Sequence, residues 1–254
     1  MLVAEIIIDN QKPSVFAQAD PEVEEMMRAG VHLGHAKSKR NPAMSAYVFG
    51  VRNNVEIIDL AKTKTKLHEA CEFLKKAVAG GKTVLLTGTR PAARKALEDA
   101  SAETGMPAVT LRWVGGTLTN FKVIFGQIEL LERLEKEKAA GEFTKYTKKE
   151  KIRLEKKLAR LHHVFDGMRS LKKLPDILFV VDISNDDLPV REARRMKIPI
   201  VALTDINTDP NIITYPIPSN DDALPAVRYM VGRIKEAILE GKNMVKEAPK
   251  EVKE

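Results

Sequence analysis

Asp182 and Asp205 are the side chains best placed to do chemistry. Each ends a short apolar run that reads as a buried strand, Ile177–Val181 and Ile200–Thr204. In an open α/β sheet the binding crevice lies beyond the carboxyl ends of the strands. Two carboxylates there can hold Mg²⁺ for a phosphohydrolase or nucleotide-binding enzyme. They can equally cap the turns that follow, with Ser184, Asn185, Asn207 and Asp209 bonding locally beside them. No nucleophile or phosphate loop accompanies them, which favours turn capping. His32 and His35, three apart in Gly30-Val-His-Leu-Gly-His-Ala-Lys37, supply half of a structural zinc site. No cysteine pair supplies the other half, so hydrogen bonding to RNA or backbone is the simpler role. Cys71, the single cysteine, falls in a helical pattern and reads as a small core residue. No Ser-His-Asp or Cys-His arrangement is visible in the local spacing. The expectation is a protein without catalysis, cofactor or small-molecule substrate.

The remaining candidates are cations and an amide suited to phosphate. Lys37, Lys39 and Arg40 form a basic loop, and Arg52 precedes Asn53-Asn54. Arg90 lies in the turn Gly88-Thr-Arg-Pro91, and Arg112 and Asn120 flank a Gly-Gly turn. Such side chains meet phosphate, ribose and unstacked bases. Gly88–Pro91 follows an apolar strand and opens a helix, where free N–H groups and the helix dipole favour an anion. It lacks the Gly-Lys-Ser/Thr ending of a Walker loop and the spaced glycines of a dinucleotide fingerprint. It reads as an ordinary βα turn or as a seat for an RNA phosphate. Trp113 suits either an RNA contact or a packing anchor. Aromatics are 5% of the chain, too few for a base-stacking platform, so recognition by shape and backbone charge fits better.

An α/β body must position these groups. Asp20 and Pro21 open a short helix that Gly30 stops, and Tyr47–Gly50 and Val55–Leu60 read as a hairpin turning at Arg52-Asn53-Asn54. A βα rhythm follows: helix 62–79, strand 83–87, helix 92–104 and strand 108–112. It resumes with strand 177–181, helix 190–196, strand 200–204, an extended piece at 212–215 and helix 221–240. Near-continuous apolar strands imply a mainly parallel sheet covered on both faces, hence a flavodoxin-like or Rossmann-like three-layer sandwich. Between the two halves, Phe121, Ile124, Ile128, Leu131 and Leu134 are spaced by three and four, as are Leu154, Leu158, Leu161 and Phe165. Two such seams predict an inserted antiparallel coiled-coil hairpin, with a break at Ala139–Tyr146 and a Thr of the Gly-Gly turn as helix cap. The expected division is an extension at 1–20, a body at 21–116 and 171–240, an arm at 117–170 and a flexible charged tail at 241–254.

Charge sharpens the reading. The net charge of +7 is unevenly spread: residues 1–30 hold 2 basic and 6 acidic side chains, 31–176 hold 29 and 16, and 177–254 hold 11 and 13. A positive field confined to the middle of the chain is the footprint of a nucleic-acid partner. No apolar run approaches membrane length. Met1–Ile8 contains Glu5 and lacks a basic flank, so it is not read as a secretory signal. One cysteine fits a reducing cytoplasm.

The motifs together resemble the bacterial ribosomal protein S-two family, the universal small-subunit ribosomal protein two. They are Ala29-Gly-Val-His-Leu-Gly-His35, Asn41-Pro42 with Met44, Tyr47-Val-Phe-Gly50 and Ile57-Ile-Asp-Leu60. They continue with Arg112-Trp-Val-Gly-Gly-Thr-Leu-Thr-Asn-Phe121, Pro175–Asp182, Glu192-Ala193, Ile198-Pro199, Asp209-Pro-Asn211 and Tyr215–Ala223. The ordered set covers about residues 21–242. Arg40 stands where the family often has Trp, Ser219 where it usually has Gly, and Ile206 where Thr is usual. The resemblance implies a flavodoxin-like body with an inserted coiled coil, lodged on the small ribosomal subunit in the bacterial cytoplasm, an organelle being the less favoured setting. It implies contact with small-subunit rRNA and neighbouring ribosomal proteins, and a role in docking the mRNA-recruiting ribosomal protein S-one. It implies no enzymatic activity and no membrane partner.

Overall fold

The computed structural model describes residues 20–247. The expected amino-terminal extension, apart from Asp20, and residues 248–254 of the expected tail lie outside them. Asp20 caps α1 (Pro21–Arg28) by accepting from the Glu22 amide at 3.1 Å. The chain then forms a small antiparallel sheet from β1 (Leu33–Ala36), β2 (Val48–Arg52) and β3 (Val55–Ile58), in the order β1-β3-β2. Asn53 and Asn54 both take positive φ, 49° and 65°. Two such residues in succession suit a tight hairpin whose twist matches its strands. The hairpin was expected and β1 was not, because Leu-Gly-His-Ala carries no run of β-branched or aromatic residues. Gly34 makes β1 possible: a Cβ there would lie 2.5 Å from Ile206 and 3.1 Å from the Glu56 carbonyl.

The large sheet is parallel and alternates with helices. Its elements are α2 (Leu60–Ala79), β4 (Val84–Thr87), α3 (Pro91–Thr104) and β5 (Ala108–Val109). After the arm, α4 (Phe121–Ala139) and α5 (Lys148–Phe165), come β6 (Ile177–Val180), α6 (Asp187–Arg195), β7 (Ile200–Thr204), β8 (Tyr215–Pro218) and α7 (Leu224–Glu247). The spatial order is β5-β4-β6-β7-β8. Numbered within the sheet this is 2-1-3-4-5, the flavodoxin-like order, with its switch point between β4 and β6.

Alternate side chains of each strand serve opposite layers. Ile177, Phe179, Val201 and Leu203 pack with residues of α2, α3 and α7. Leu178, Val180, Ile200 and Ala202 pack with Val190 of α6 and with the root of the arm. Each fully buried Leu, Ile, Val or Phe contributes roughly 1.5–3 kcal/mol, and both layers draw on strand and helix residues alike. The arm is more than an appendage. Its seam, Ile124, Ile128, Leu131, Leu158, Leu161 and Phe165, is continuous with the sheet face at one end and with buried Phe143 at the turn. At about 1.5 Å per residue the 19 residues of α4 reach ~28 Å.

Several boundaries moved. β5 stops at Val109, not at Arg112, because the chain leaves the sheet edge to wrap a carboxylate described below. The extended piece expected at 212–215 begins as a single 3-10 turn, Pro210–Ile212, and the strand lies at Tyr215–Pro218. Pro216 and Pro218 lack an N–H and are tolerated because β8 is an edge strand. Residues 241–247, assigned by sequence to the flexible tail, continue α7. Gly241 packs so closely that a Cβ would lie 2.6 Å from the Lys75 carbonyl.

Candidate nucleic-acid interface and a closed crevice

The segment Arg112–Phe121 is shaped by one carboxylate. Glu192 on α6 is buried, 6% exposed, and its two oxygens accept five hydrogen bonds. The indole of Trp113 and the amide of Gly116 donate to Oε1 at 3.1 and 2.8 Å. The amides of Leu118 and Thr119 and the Thr119 hydroxyl donate to Oε2 at 2.9, 3.1 and 3.1 Å. Gly116 has φ +94°, a conformation that L side chains rarely adopt, and this turns its N–H inward. Burial pushes the Glu192 carboxyl up, but the donors of Gly116, Leu118, Trp113 and Thr119 outweigh it and the net shift is down. Trp113, 8% exposed, is therefore a packing anchor and not an RNA contact. The expected Thr cap is also corrected: the N-cap of α4 is Asn120, whose side chain makes no capping bond, while Thr117 and Thr119 are engaged by the Val114 carbonyl and Glu192. Glu192 itself carried no role in the sequence reading. Glu192 lies beside Pro189, Val190 and Ala193 on the buried face of α6, but its donors come from a loop more than 70 residues earlier, which spacing does not reveal.

The switch-point crevice, where a flavodoxin-like protein would bind its ligand, is filled by the chain's own side chains. The turn Gly88–Pro91 does attract anions at the start of α3, and they are internal ones. The Thr89 amide and hydroxyl donate to Asp186 at 3.0 and 2.7 Å. Arg90 pairs through Nε with Asp182 and through Nη1 with Asp222. His35 lies 3.0 Å from Asp205 and 3.3 Å from Asp222. Hydrogen bonding to Asp205 raises the His35 pKa against the opposing effect of burial. Asp221, 2% exposed, has no hydrogen-bond partner on either oxygen. Burial and the negative charge of Asp182 and Asp205 push its carboxyl up to about 8.

These contacts decide the carboxylate question. Asp182 accepts the Asn185 amide at 3.0 Å and faces Arg90, while Asp205 accepts the Ile206 amide and faces His35. Both are turn caps and ion-pair partners, the role sequence favoured over Mg²⁺ binding. The two histidines do not converge either. His35 is held by Asp205 and Asp222, whereas His32 has a buried Nδ1 without a partner and a pKa lowered by burial. Among the described residues no group of three His, Cys, Asp or Glu side chains is arranged to hold a metal ion.

The expected phosphate-binding residues divide into two sets. Lys37, Lys39, Arg52, Arg112 and Asn120 are exposed. Arg40, also exposed, and the half-buried Arg90 already pair with carboxylates of the body. Arg40 sits 3.1 Å from Glu56, which is fully buried and whose oxygens have no hydrogen-bond partner. No described helix is long and apolar enough to cross a membrane.

A flavodoxin-order body whose crevice side chains pair with one another, interrupted by a long helical arm, defines an α/β protein with a helical insertion. A model of the family described as ribosomal protein S2 matches residues 26–241. Relatives named small ribosomal subunit protein uS2 include one from Dictyoglomus thermophilum, 43% identical over 91% of this chain and 95% of its own length. Others are from Chloroflexus aurantiacus, 42% identical over 86% and 92%, and Dehalococcoides mccartyi, 39% identical over 88% and 91%. The chain belongs to the ribosomal protein S2 family. It is a structural protein of the small ribosomal subunit, works in translation on the bacterial ribosome, and is not an enzyme.

Proposed function

We propose that this protein grips the phosphate backbone of small-subunit rRNA with Lys37, Lys39, Arg52 and Arg112, with Asn120 placed for ribose or base. Arg40 and Arg90 hold the loops that present them. The observation that carries this reading is the exposure of all five side chains beside a body that is otherwise laced with internal ion pairs. A cation that meets a phosphate releases condensed counterions, and that release is the electrostatic part of RNA affinity. Neighbouring ribosomal proteins complete the setting, and docking of the mRNA-recruiting protein S-one belongs to the same proposal. Leu33, Phe49 and Val51 of the small sheet are 43%, 43% and 49% exposed, apolar surface of the kind a protein neighbour covers. The test is Arg112→Ala in binding to small-subunit rRNA across a salt series. The slope of log affinity against log salt should flatten by about one. An unchanged slope removes Arg112 from the interface.

A further inference from the structure

The two helices of the arm differ in charge. α4 holds Lys122, Arg133, Lys136 and Lys138 against four glutamates, a neutral balance. α5 holds seven Lys and Arg against Glu150 and Glu155. Glu150 is already used, closing a capping box with Thr147 at the start of α5. The arm's ion pairs are Arg133 with Glu137 on α4, and a cluster of Glu135, His162, Asp166 and Arg169 at its root. Lys149, Arg153, Lys156 and Arg160 have no ion pair among the described residues, and all four are exposed. Their spacing of four, three and four places them in one row. At 100° per residue that row lies roughly 140° around the helix from the buried seam of Leu154, Leu158, Leu161 and Phe165. It runs ~17 Å along the axis.

We propose that this row on α5 is a rail for the phosphodiester backbone of RNA, and that α4 is not. The proposal deepens the rRNA reading above and rests on it. Like charges at helical neighbour positions repel weakly, and a polyanion laid along the row relieves that repulsion. A protein partner is a poorer fit. Protein interfaces are depleted in Lys and take their energy from buried aromatic and Arg anchors. Here Ile152, 44% exposed, is the single large apolar side chain exposed on α5. Phosphate contacts need only charge and reach, which four long cations at ~5 Å intervals supply.

The experiment uses the full chain and deproteinised small-subunit rRNA over a salt series. One variant carries Lys149→Gln, Arg153→Gln, Lys156→Gln and Arg160→Gln. A control carries Lys148→Gln and Lys151→Gln on the other side of α5. Gln is a good helix former, so far-ultraviolet circular dichroism should be unchanged in both. The row variant should lose about three to four units of salt slope, and the control less than one. The four single substitutions, each expected to lose about one unit, keep the test open if the fourfold variant aggregates. Equal losses in row and control would overturn the rail in favour of diffuse charge. An unchanged slope in the row variant, with wild type still salt-dependent, would overturn the rail and leave the rRNA reading standing. Unchanged rRNA binding with loss of assembly into subunits would assign the row to an acidic protein instead. Absence of salt-dependent binding by wild type would overturn both readings.

Discussion

Replacing Glu192 by Gln changes one oxygen into an NH₂ group and removes the charge, with almost no change of shape. The carboxylate is surrounded by five donors, two on Oε1 and three on Oε2. The amide does least harm with its NH₂ where Oε1 was, facing the Trp113 indole and the Gly116 N–H. Those two donors are then orphaned. An unsatisfied buried donor costs about 1–3 kcal/mol, and Gly116 is only partly buried, so the loss should be about 3 kcal/mol. In a chain of this size each kcal/mol moves the midpoint by about 2–4 °C, which gives a Tm lowered by ~6–12 °C. Trp113 is the only tryptophan, so its fluorescence reports this loop alone, while circular dichroism reports the whole body. The pH dependence has a definite sign. The folded-state pKa of Glu192 is depressed below its ordinary 4.5, so its stabilisation is present above that value and lost as pH falls through the depressed one. The gap between wild type and Glu192→Gln should therefore shrink in acid. A variant that melts within ~2 °C of wild type at pH 7 with unaltered tryptophan emission would refute the claim that this carboxylate organises the loop.

Three further outcomes follow from other parts of the molecule. Asp221→Asn should melt at least as high as wild type near pH 5 and gain steadily toward pH 8.5. A raised folded-state pKa means that stability is fullest below the unfolded value of 3.8 and drains as pH rises to about 8. A constant or negative difference in melts across that range would contradict the neutral carboxyl. Arg40→Ala should cost about 3 kcal/mol, the low end for breaking a buried pair because Arg40 is 35% exposed while Glu56 is fully buried. In a Glu56→Gln background the same substitution should cost under ~1 kcal/mol, and additivity in that double-mutant cycle would show that the pair is uncoupled.

How much of this was legible depended on whether the deciding contact was local. The Asn53-Asn54 hairpin was readable because two residues that tolerate positive φ sit between two β-rich runs. The arm was readable because a helical seam is written at three- and four-residue intervals on each of its helices. The Gly88–Pro91 turn was read as an ordinary βα turn or a seat for an RNA phosphate, and in the structure it meets Asp182, Asp186 and Asp222, far along the chain. Spacing cannot show which of many acids folds back onto a given turn.

The amino-acid sequence by itself settled the α/β alternation, the inserted arm, the confinement of positive charge to residues 31–176, and the family. These rest on periodicity and composition, which are properties of neighbours in the chain. Tertiary structure alone decided that Trp113 is an anchor, that Arg40 and Arg90 serve Glu56 and the crevice, and that one carboxylate on α6 shapes the loop from Arg112 to Phe121. The physical reason is that a buried charge takes whichever partner packing brings within ~3 Å, and that partner need not be a neighbour in the chain: Glu192 meets Trp113 across 79 residues.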